Sequence, residues 1–106
     1  GVFRICLPDF RKAFTAYLNA DTDYFNLINV LGAVDRLEPG TETMIDLINY
    51  CVYQNGEHKC LYDETKVVAI LKFVGFRHAT VSSFQQGVDT ASEPRRKYSF
   101  YVEARK

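Results

Sequence analysis

The amino-acid sequence predicts an α/β fold in which a small mixed sheet of three strands is accompanied by about four helices. The chain opens on a near-continuous apolar run, Val2 to Leu7, which is typical of a strand covered on both faces. Helical spacing of apolar residues then dominates the middle of the chain, and two further strand patterns close it. A length of 106 residues suits one compact domain, so we expect residues 1–106 to form a single domain.

Two helices are predicted after the first strand, which stops at Pro8-Asp9. Asp9 is a natural N-cap for the first of them. The apolar residues on one face of that helix are Phe10, Ala13, Phe14, Tyr17 and Leu18. The second helix is entered through Asp21-Thr22-Asp23 and ends at Gly32. Its apolar residues are Tyr24, Leu27, Ile28 and Leu31.

Two more helices are predicted before the next strand. Thr41 can cap the third helix, and Asp63 can cap the fourth. Gly75 stands where the fourth helix should terminate. The apolar residues at helical spacing are Met44, Leu47, Ile48 and Cys51 in the third helix and Val67, Ile70, Leu71 and Val74 in the fourth.

The last two strands follow one another without a predicted helix between them. Phe76 to Phe84 indicates one strand, Gln85 to Lys97 a polar loop, and the alternation from Tyr98 to Arg105 the other strand. Strands joined by a loop are expected to be antiparallel neighbours. The first strand leads into helices instead, and we expect it to be parallel to one of the others, which would make the sheet mixed.

The composition excludes several classes of function. Thirteen basic and thirteen acidic side chains give a formal net charge of zero, and no long basic run indicates a nucleic-acid binder. Three cysteines form no disulfide framework, which suits a reducing compartment. The sequence has no apolar run long enough to span a bilayer. We therefore expect a soluble cytoplasmic protein with neither nucleic acid nor membrane as a partner.

Three separated segments share their pattern with one protein family. Gly1 to Phe10 is an apolar strand followed by proline and aspartate, although only one glycine of the family's usual proline-glycine-glycine precedes it. His58 to Thr65 leads into a helix that ends in Val74-Gly75-Phe76. The third segment comprises Asp89, Arg95-Arg96 and Ser99 to Lys106. Together they resemble Rossmann-like (class I) S-adenosylmethionine-dependent methyltransferases, in particular a bacterial subgroup linked to polysaccharide biosynthesis.

The resemblance implies a specific place in a larger fold. The family has a seven-stranded sheet flanked by helices, with its final strand inserted antiparallel beside strand five. This chain would carry strands five, six and seven, and we expect it to be the C-terminal fragment of a larger methyltransferase domain. The family binds S-adenosylmethionine through a glycine-rich turn and an acidic residue after the first two strands. The six glycines of this chain form no such turn, so we expect the cofactor in the full-length protein and none on this chain, which by itself should be inactive.

Two residues are candidates for acid–base chemistry. Asp9 follows a strand at the carboxyl edge that borders the ligand crevice in open α/β sheets, where a carboxylate can orient an acceptor or take its proton. It can equally serve only as a helix cap. The resemblance places His58 where relatives tend to keep a histidine, and it can act as a base or be an ordinary loop residue.

Arg95 and Arg96 are the candidate substrate-binding residues. With Lys97 they form a short basic cluster that can contact an anionic acceptor such as a sugar phosphate or a sugar nucleotide. The alternative is a solvated loop paired with nearby acidic residues. Cys51, His58 and Cys60 lack the spacing and the fourth ligand of a closed zinc site, so no metal is expected.

Other functions stay open beside the methyltransferase fragment. The chain can be a free-standing α+β interaction module that binds a partner by strand addition, or a catalytically dead scaffold. The first strand carries a single charge, Arg4, and would expose unpaired backbone groups along an apolar edge. We therefore expect a homodimer through residues 2–7.

Overall fold

A computed structural model describes residues 1–30 and 43–106. These residues form one strand-rich part and one helical part. The described elements are β1 (Val2–Pro8), α1 (Phe10–Leu18), α2 (Thr22–Val30), α3 (Met44–Tyr53), α4 (Glu64–Phe73), β2 (His78–Ser82), α5 (Glu93–Tyr98) and β3 (Ser99–Arg105). The predicted end of the second helix at Gly32 and the predicted cap at Thr41 lie outside the described residues. The contacts divide the chain into a sheet unit, Gly1–Asp9 with Tyr62–Lys106, and a helical unit, Phe10–Leu61.

The sheet unit contains a sheet whose described strands have the order β1-β3-β2. β3 is antiparallel to both neighbours, with Val102 opposite Ile5 on one side and opposite Val81 on the other. The expected antiparallel pairing of the last two strands is therefore confirmed, as is an α/β fold with three strands in the described residues. The first strand does run parallel to one of the others, β2, as expected. The expected mixed sheet is nevertheless wrong, because β3 separates β1 from β2 and both pairings are antiparallel.

One face of this sheet forms the core of the sheet unit. Side chains alternate between the two faces of a strand, which brings Phe100, Val102 and Ala104 to the same face. These residues pack with Val67 and Leu71 of α4 in one buried cluster, in which Val102 is 0% exposed. Fully burying an apolar side chain of this size stabilises a fold by about 1.5–3 kcal/mol. The burial therefore fixes α4 on this face of the sheet.

The ends of α4 follow the predicted chemistry. The Asp63 carboxylate accepts a hydrogen bond from the Lys66 backbone N–H at 2.7 Å, which is the expected N-cap. After the helix, Gly75 adopts a φ of +105°, which side-chain-bearing residues rarely tolerate. Residues 76–77 then lead directly into β2, which is shorter than the predicted strand from Phe76 to Phe84.

The helical unit is built from α1, α2 and α3. Its buried apolar residues are Phe10, Ala13, Ala16, Tyr24, Phe25, Leu47 and Ile48. Asp21 caps α2 by accepting a hydrogen bond from the Tyr24 backbone N–H at 3.1 Å. Thr43 precedes α3, and the Asp46 carboxylate accepts hydrogen bonds from both its backbone N–H and its hydroxyl. Within the described residues, none of the helices has both the length and the apolar character that crossing a membrane requires.

The predicted polar loop from Gln85 to Lys97 is corrected in its second half, where α5 forms. Ser92 is the N-cap, and its hydroxyl accepts a hydrogen bond from the Arg95 backbone N–H at 3.3 Å. Pro94 lies in the first turn, where its missing N–H costs nothing. None of the residues of α5 is buried, so no periodic pattern of apolar residues indicated this helix in the sequence. Its capping sequence was the available signal.

Candidate functional site

The candidate site lies in the sheet unit, at the end of the sheet where β1 and β2 terminate. Both strands are antiparallel to β3, so their carboxyl ends share one edge with the start of β3. Ligands of open α/β sheets bind at the carboxyl ends of strands. The backbone N–H of Asp9, just past β1, donates to the carbonyl of Tyr98 at the end of α5, at 2.7 Å. Two of the predicted site regions, Asp9 and the basic cluster of α5, therefore meet at one edge.

A network of hydrogen bonds centred on Arg4 covers the sheet face opposite α4. The Nε and Nη2 atoms of Arg4 donate to the two carboxylate oxygens of Asp89 at 2.7 and 2.6 Å. Its Nη1 donates to the Ser82 hydroxyl at 2.8 Å, and its Nη2 also donates to the Ser83 carbonyl. The Glu103 carboxylate lies 3.7 Å from Nη1. The guanidinium is thus engaged on every nitrogen.

The ion pair between Arg4 and Asp89 is shielded from solvent, with side-chain exposures of 12% and 9%. The hydrogen bond from Arg4 is the main reason that the pKa of Asp89 lies below its ordinary value. The hydrogen bond to Asp89 likewise raises the pKa of Arg4 above its ordinary value. Asp89 therefore stays a carboxylate at neutral pH and is not suited to act as a general base. Its role is to hold the connection between β2 and α5 against β1.

A cavity of about 200 Å³ adjoins this network. Its floor is formed by Tyr101, which is 4% exposed, together with the half-buried Arg4 and Cys6. Its rim carries the exposed Val88, Thr90 and Arg95, and Asp89 also lines it. We call this cavity the Tyr101 pocket.

The Tyr101 side chain is held in place on the pocket floor. Its hydroxyl donates to the Arg95 carbonyl at 3.4 Å, and the Arg4 guanidinium lies 5.3 Å from the centre of its ring. Burial is the main reason that the pKa of Tyr101 is raised, so the phenol remains protonated and keeps its hydrogen bond to the Arg95 carbonyl.

The two arginines that the sequence analysis grouped together have different surroundings. Arg95 lines the Tyr101 pocket, whereas the Arg96 guanidinium lies over the ring of Phe84, 4.5 Å from its centre. Arg96 lines a second, more open cavity of about 720 Å³ with Phe84, Ala91, Glu93 and Lys97. A ligand in the Tyr101 pocket would therefore meet Arg95, and Arg96 belongs to a separate surface.

His58 belongs to the helical unit. Its Nδ1 atom lies 2.9 Å from the Cys51 carbonyl oxygen, and its ring is edge-on to Phe10 with 5.9 Å between the ring centres. A carbonyl can only accept, so Nδ1 carries the hydrogen and the lone pair of the neutral ring is on Nε2. This tautomer suits a base that acts through Nε2.

The described cysteines and acidic residues do not form a metal centre. Cys51 is half-buried, and its removal from solvent raises the pKa of its thiol to about 11, which disfavours the thiolate that a metal needs. All three cysteines are free thiols. Within the part of the chain that the structure describes, no group of three or more metal-binding side chains converges.

Asp9 is half-buried just past the end of β1 and is not among the residues that line the Tyr101 pocket. The residue patterns did not predict the roles of Arg4, Tyr101 and Cys6 in that pocket. The signal was available for two of them: Arg4 is the only charge in the apolar first strand, and Tyr101 falls between the core positions Phe100 and Val102. The position of Cys6 opposite Tyr101 depends on the register of β1 and β3, which nearby residues in the sequence do not indicate.

Comparison of the chain with protein-family models, with curated proteins and with solved structures finds no match.

Proposed function

We propose that this chain is the C-terminal part of a Rossmann-like S-adenosylmethionine-dependent methyltransferase domain and contributes the sheet edge and part of the acceptor site. One observation carries the proposal: the last strand of the chain lies antiparallel between two strands that run in the same direction. The family that the sequence resembles has this arrangement for strands five, seven and six. Sequential strands are neighbours in most sheets, so an inserted final strand is a specific feature.

The residues of this chain act on the acceptor in this proposal. Arg95, at the rim of the Tyr101 pocket, binds an anionic group of the acceptor. Asp9, at the carboxyl end of β1, orients the acceptor nucleophile or takes its proton. His58, whose Nε2 carries the lone pair of the neutral ring, is the second candidate base, which the resemblance suggested. The cofactor supplies the methyl group in such enzymes. Since the sequence has no Gly-x-Gly turn, the cofactor contacts are assigned to the region of the full-length protein that precedes Gly1.

The free side of β1 supports an additional role in assembly. β1 is at one end of the described strand order, and Val2 and Phe3 are 53% and 42% exposed. An apolar strand edge with a single charge can receive another strand. We propose a homodimer through residues 2–7 for the isolated chain. The same edge would serve a free-standing interaction module, which is the second candidate function.

The coding sequence upstream of the Gly1 codon distinguishes the two functions. The methyltransferase proposal expects a strand followed by a Gly-x-Gly turn, and then an acidic residue after the next strand, within roughly a hundred upstream residues. A stop codon or an unrelated domain in this position would refute the methyltransferase proposal and favour the interaction module.

A further inference from the structure

The Tyr101 pocket contains one cation whose charge is already balanced. Arg4 has Asp89 in a two-pronged ion pair and Glu103 at 3.7 Å, and its remaining donors are bound to Ser82 and Ser83. A guanidinium with its donors engaged holds its position and offers little to a ligand. Arg4 thus forms a rigid part of the pocket floor.

Arg95 is the cation of the pocket that a ligand can use. Its side chain is exposed at the rim, and it forms no ion pair with any residue in the described ranges, 1–30 and 43–106. Its backbone is fixed at both ends, because its N–H is bound by Ser92 and its carbonyl by Tyr101. The guanidinium therefore extends from an anchored position and matches the planar geometry of an anionic group.

The charges of the pocket select a monoanion. Arg4 and Arg95 against Asp89 leave one positive charge among the lining residues, that of Arg95. Glu103 does not line the pocket, and Arg105 balances its charge at 3.1 Å. A carboxylate carries one negative charge, whereas a phosphate monoester carries nearly two at neutral pH. The second charge of a phosphate would face Asp89 without a cation to balance it. The pocket is therefore matched to a carboxylate.

The remaining lining and the size of the pocket define the rest of the ligand. Thr90 and Tyr101 contribute hydroxyl groups, Cys6 a thiol, and Val88 an apolar surface. This mixture suits a ring that has hydroxyl groups at its edge and C–H groups on its face. The volume of about 200 Å³ is below the range of about 300–1,000 Å³ that is usual for pockets of drug-sized ligands. It accommodates one small ring.

We infer that the Tyr101 pocket binds a polyhydroxylated monocarboxylate of the size of a single sugar ring, with the carboxylate at Arg95. Its identification as the acceptor subsite rests on the proposed methyltransferase function, but the binding itself does not.

The test is a titration of the 106-residue chain with small ligands at pH 7.5 and 0.15 M salt, in which two-dimensional NMR detects binding. The probes are D-glucuronate, the neutral D-glucose and the dianionic D-glucose 6-phosphate. We expect glucuronate to shift the amide signals of Thr90, Arg95 and Tyr101 and to bind at least tenfold more tightly than either other probe. Equal or tighter binding of glucose or glucose 6-phosphate, or no saturable shift with glucuronate, overturns the inference.

A matched pair of variants locates the carboxylate. Arg95→Gln and Arg96→Gln remove the same charge from adjacent exposed positions of α5, but only Arg95 lines the pocket. We expect Arg95→Gln to weaken glucuronate binding at least tenfold and Arg96→Gln to change it less than twofold. Equal losses would indicate a general electrostatic effect and contradict the assigned subsite. Because no cofactor takes part, this result is independent of whether the full-length protein transfers a methyl group.

Discussion

Arg4 and Asp89, which are 85 positions apart in the chain, form a two-pronged ion pair with Nε 2.7 Å from Oδ1 and Nη2 2.6 Å from Oδ2. The Asp89 carboxylate also accepts a hydrogen bond from the Gln85 backbone N–H at 2.7 Å. Asp89 therefore closes a turn that begins at Gln85, and the ion pair connects this turn to β1. This connection forms one side of the Tyr101 pocket, so the pocket depends on the ion pair for its shape.

The first prediction concerns Asp89→Asn, which removes the charge and keeps the shape. The pKa of Asp89 is lowered in the folded chain, so its contribution to stability is present above the unfolded pKa of about 3.9 and is lost as the pH falls through the folded value. Asp89→Asn should unfold at a lower temperature than the wild type at pH 7, and this difference should shrink below about pH 4. Thermal unfolding followed by circular dichroism measures both.

The control for this prediction is Glu57→Gln, which alters an exposed carboxylate of the helical unit. It should leave the melting temperature at pH 7 almost unchanged. Asp46, whose pKa is lowered mainly by hydrogen bonds from Thr43, is present in all three chains and cancels in the comparison. A deficit of Asp89→Asn that is the same at pH 7 and pH 3 would show that the ion pair does not stabilise the fold.

The core prediction concerns Val102→Ala in the centre of β3. Val102 is 0% exposed and lies in the cluster with Val67 and Leu71, so its truncation leaves a void that the packed neighbours cannot fill. We expect a loss of about 2 kcal/mol in the free energy of unfolding, measured by urea denaturation. Val88→Ala, at a position 67% exposed, should change it by less than about 0.5 kcal/mol. Similar losses for both variants would contradict the assigned core.

The catalytic prediction is made for the full-length protein. Asp9→Asn should keep a helix cap, since asparagine caps nearly as well as aspartate. The stability of the variant should therefore be unchanged. Its turnover should fall roughly 10²–10⁴-fold, because Asp9 orients or deprotonates the acceptor in the proposed site. His58→Ala should lose activity in the same range, whereas His78→Ala, at an exposed position of β2, should not. Unchanged turnover of Asp9→Asn or of His58→Ala would contradict a catalytic role for that residue.

The assembly prediction concerns the free side of β1. The isolated chain should sediment at high micromolar concentration as a dimer of twice the 12.2 kDa monomer mass. Val2→Glu places a charge on this edge and should raise the dimer dissociation constant at least tenfold, because charged side chains oppose strand addition. Val74→Glu, at a site 60% exposed beyond α4, is the control and should have little effect. A monomer mass for the wild type, or equal effects of the two variants, contradicts pairing through residues 2–7.

Local chemistry explains which features the sequence predicted. The capping of α4 by Asp63 and its termination at Gly75 depend on neighbouring residues, and both are confirmed. The alternation from Tyr98 to Arg105 likewise predicted β3, although Tyr98 belongs to α5 and Ser99 and Tyr101 on the second face are also buried. These signals arise within a few residues and need no knowledge of the rest of the chain.

Long-range pairing explains what the residue patterns did not predict. Periodicity identifies a strand but does not say which strands adjoin it, so it did not predict that β3 separates β1 from β2. Only the family resemblance implied that the last strand lies beside the first. The ion pair of Arg4 with Asp89 and the meeting of Cys6 with Tyr101 follow from that order and register. The division of Arg95 and Arg96 between two cavities depends on α5, whose exposed residues had no periodic signal.

The central claim is that this chain completes the sheet of a methyltransferase and that the cofactor binds elsewhere in the full-length protein. Calorimetric titration of S-adenosylmethionine into both proteins tests it most directly. We predict binding tighter than about 100 µM, or roughly −5.5 kcal/mol, for the full-length protein, and none of that strength for the isolated 106-residue chain. Binding of that strength by the isolated chain, or its absence from the full-length protein, would contradict the claim.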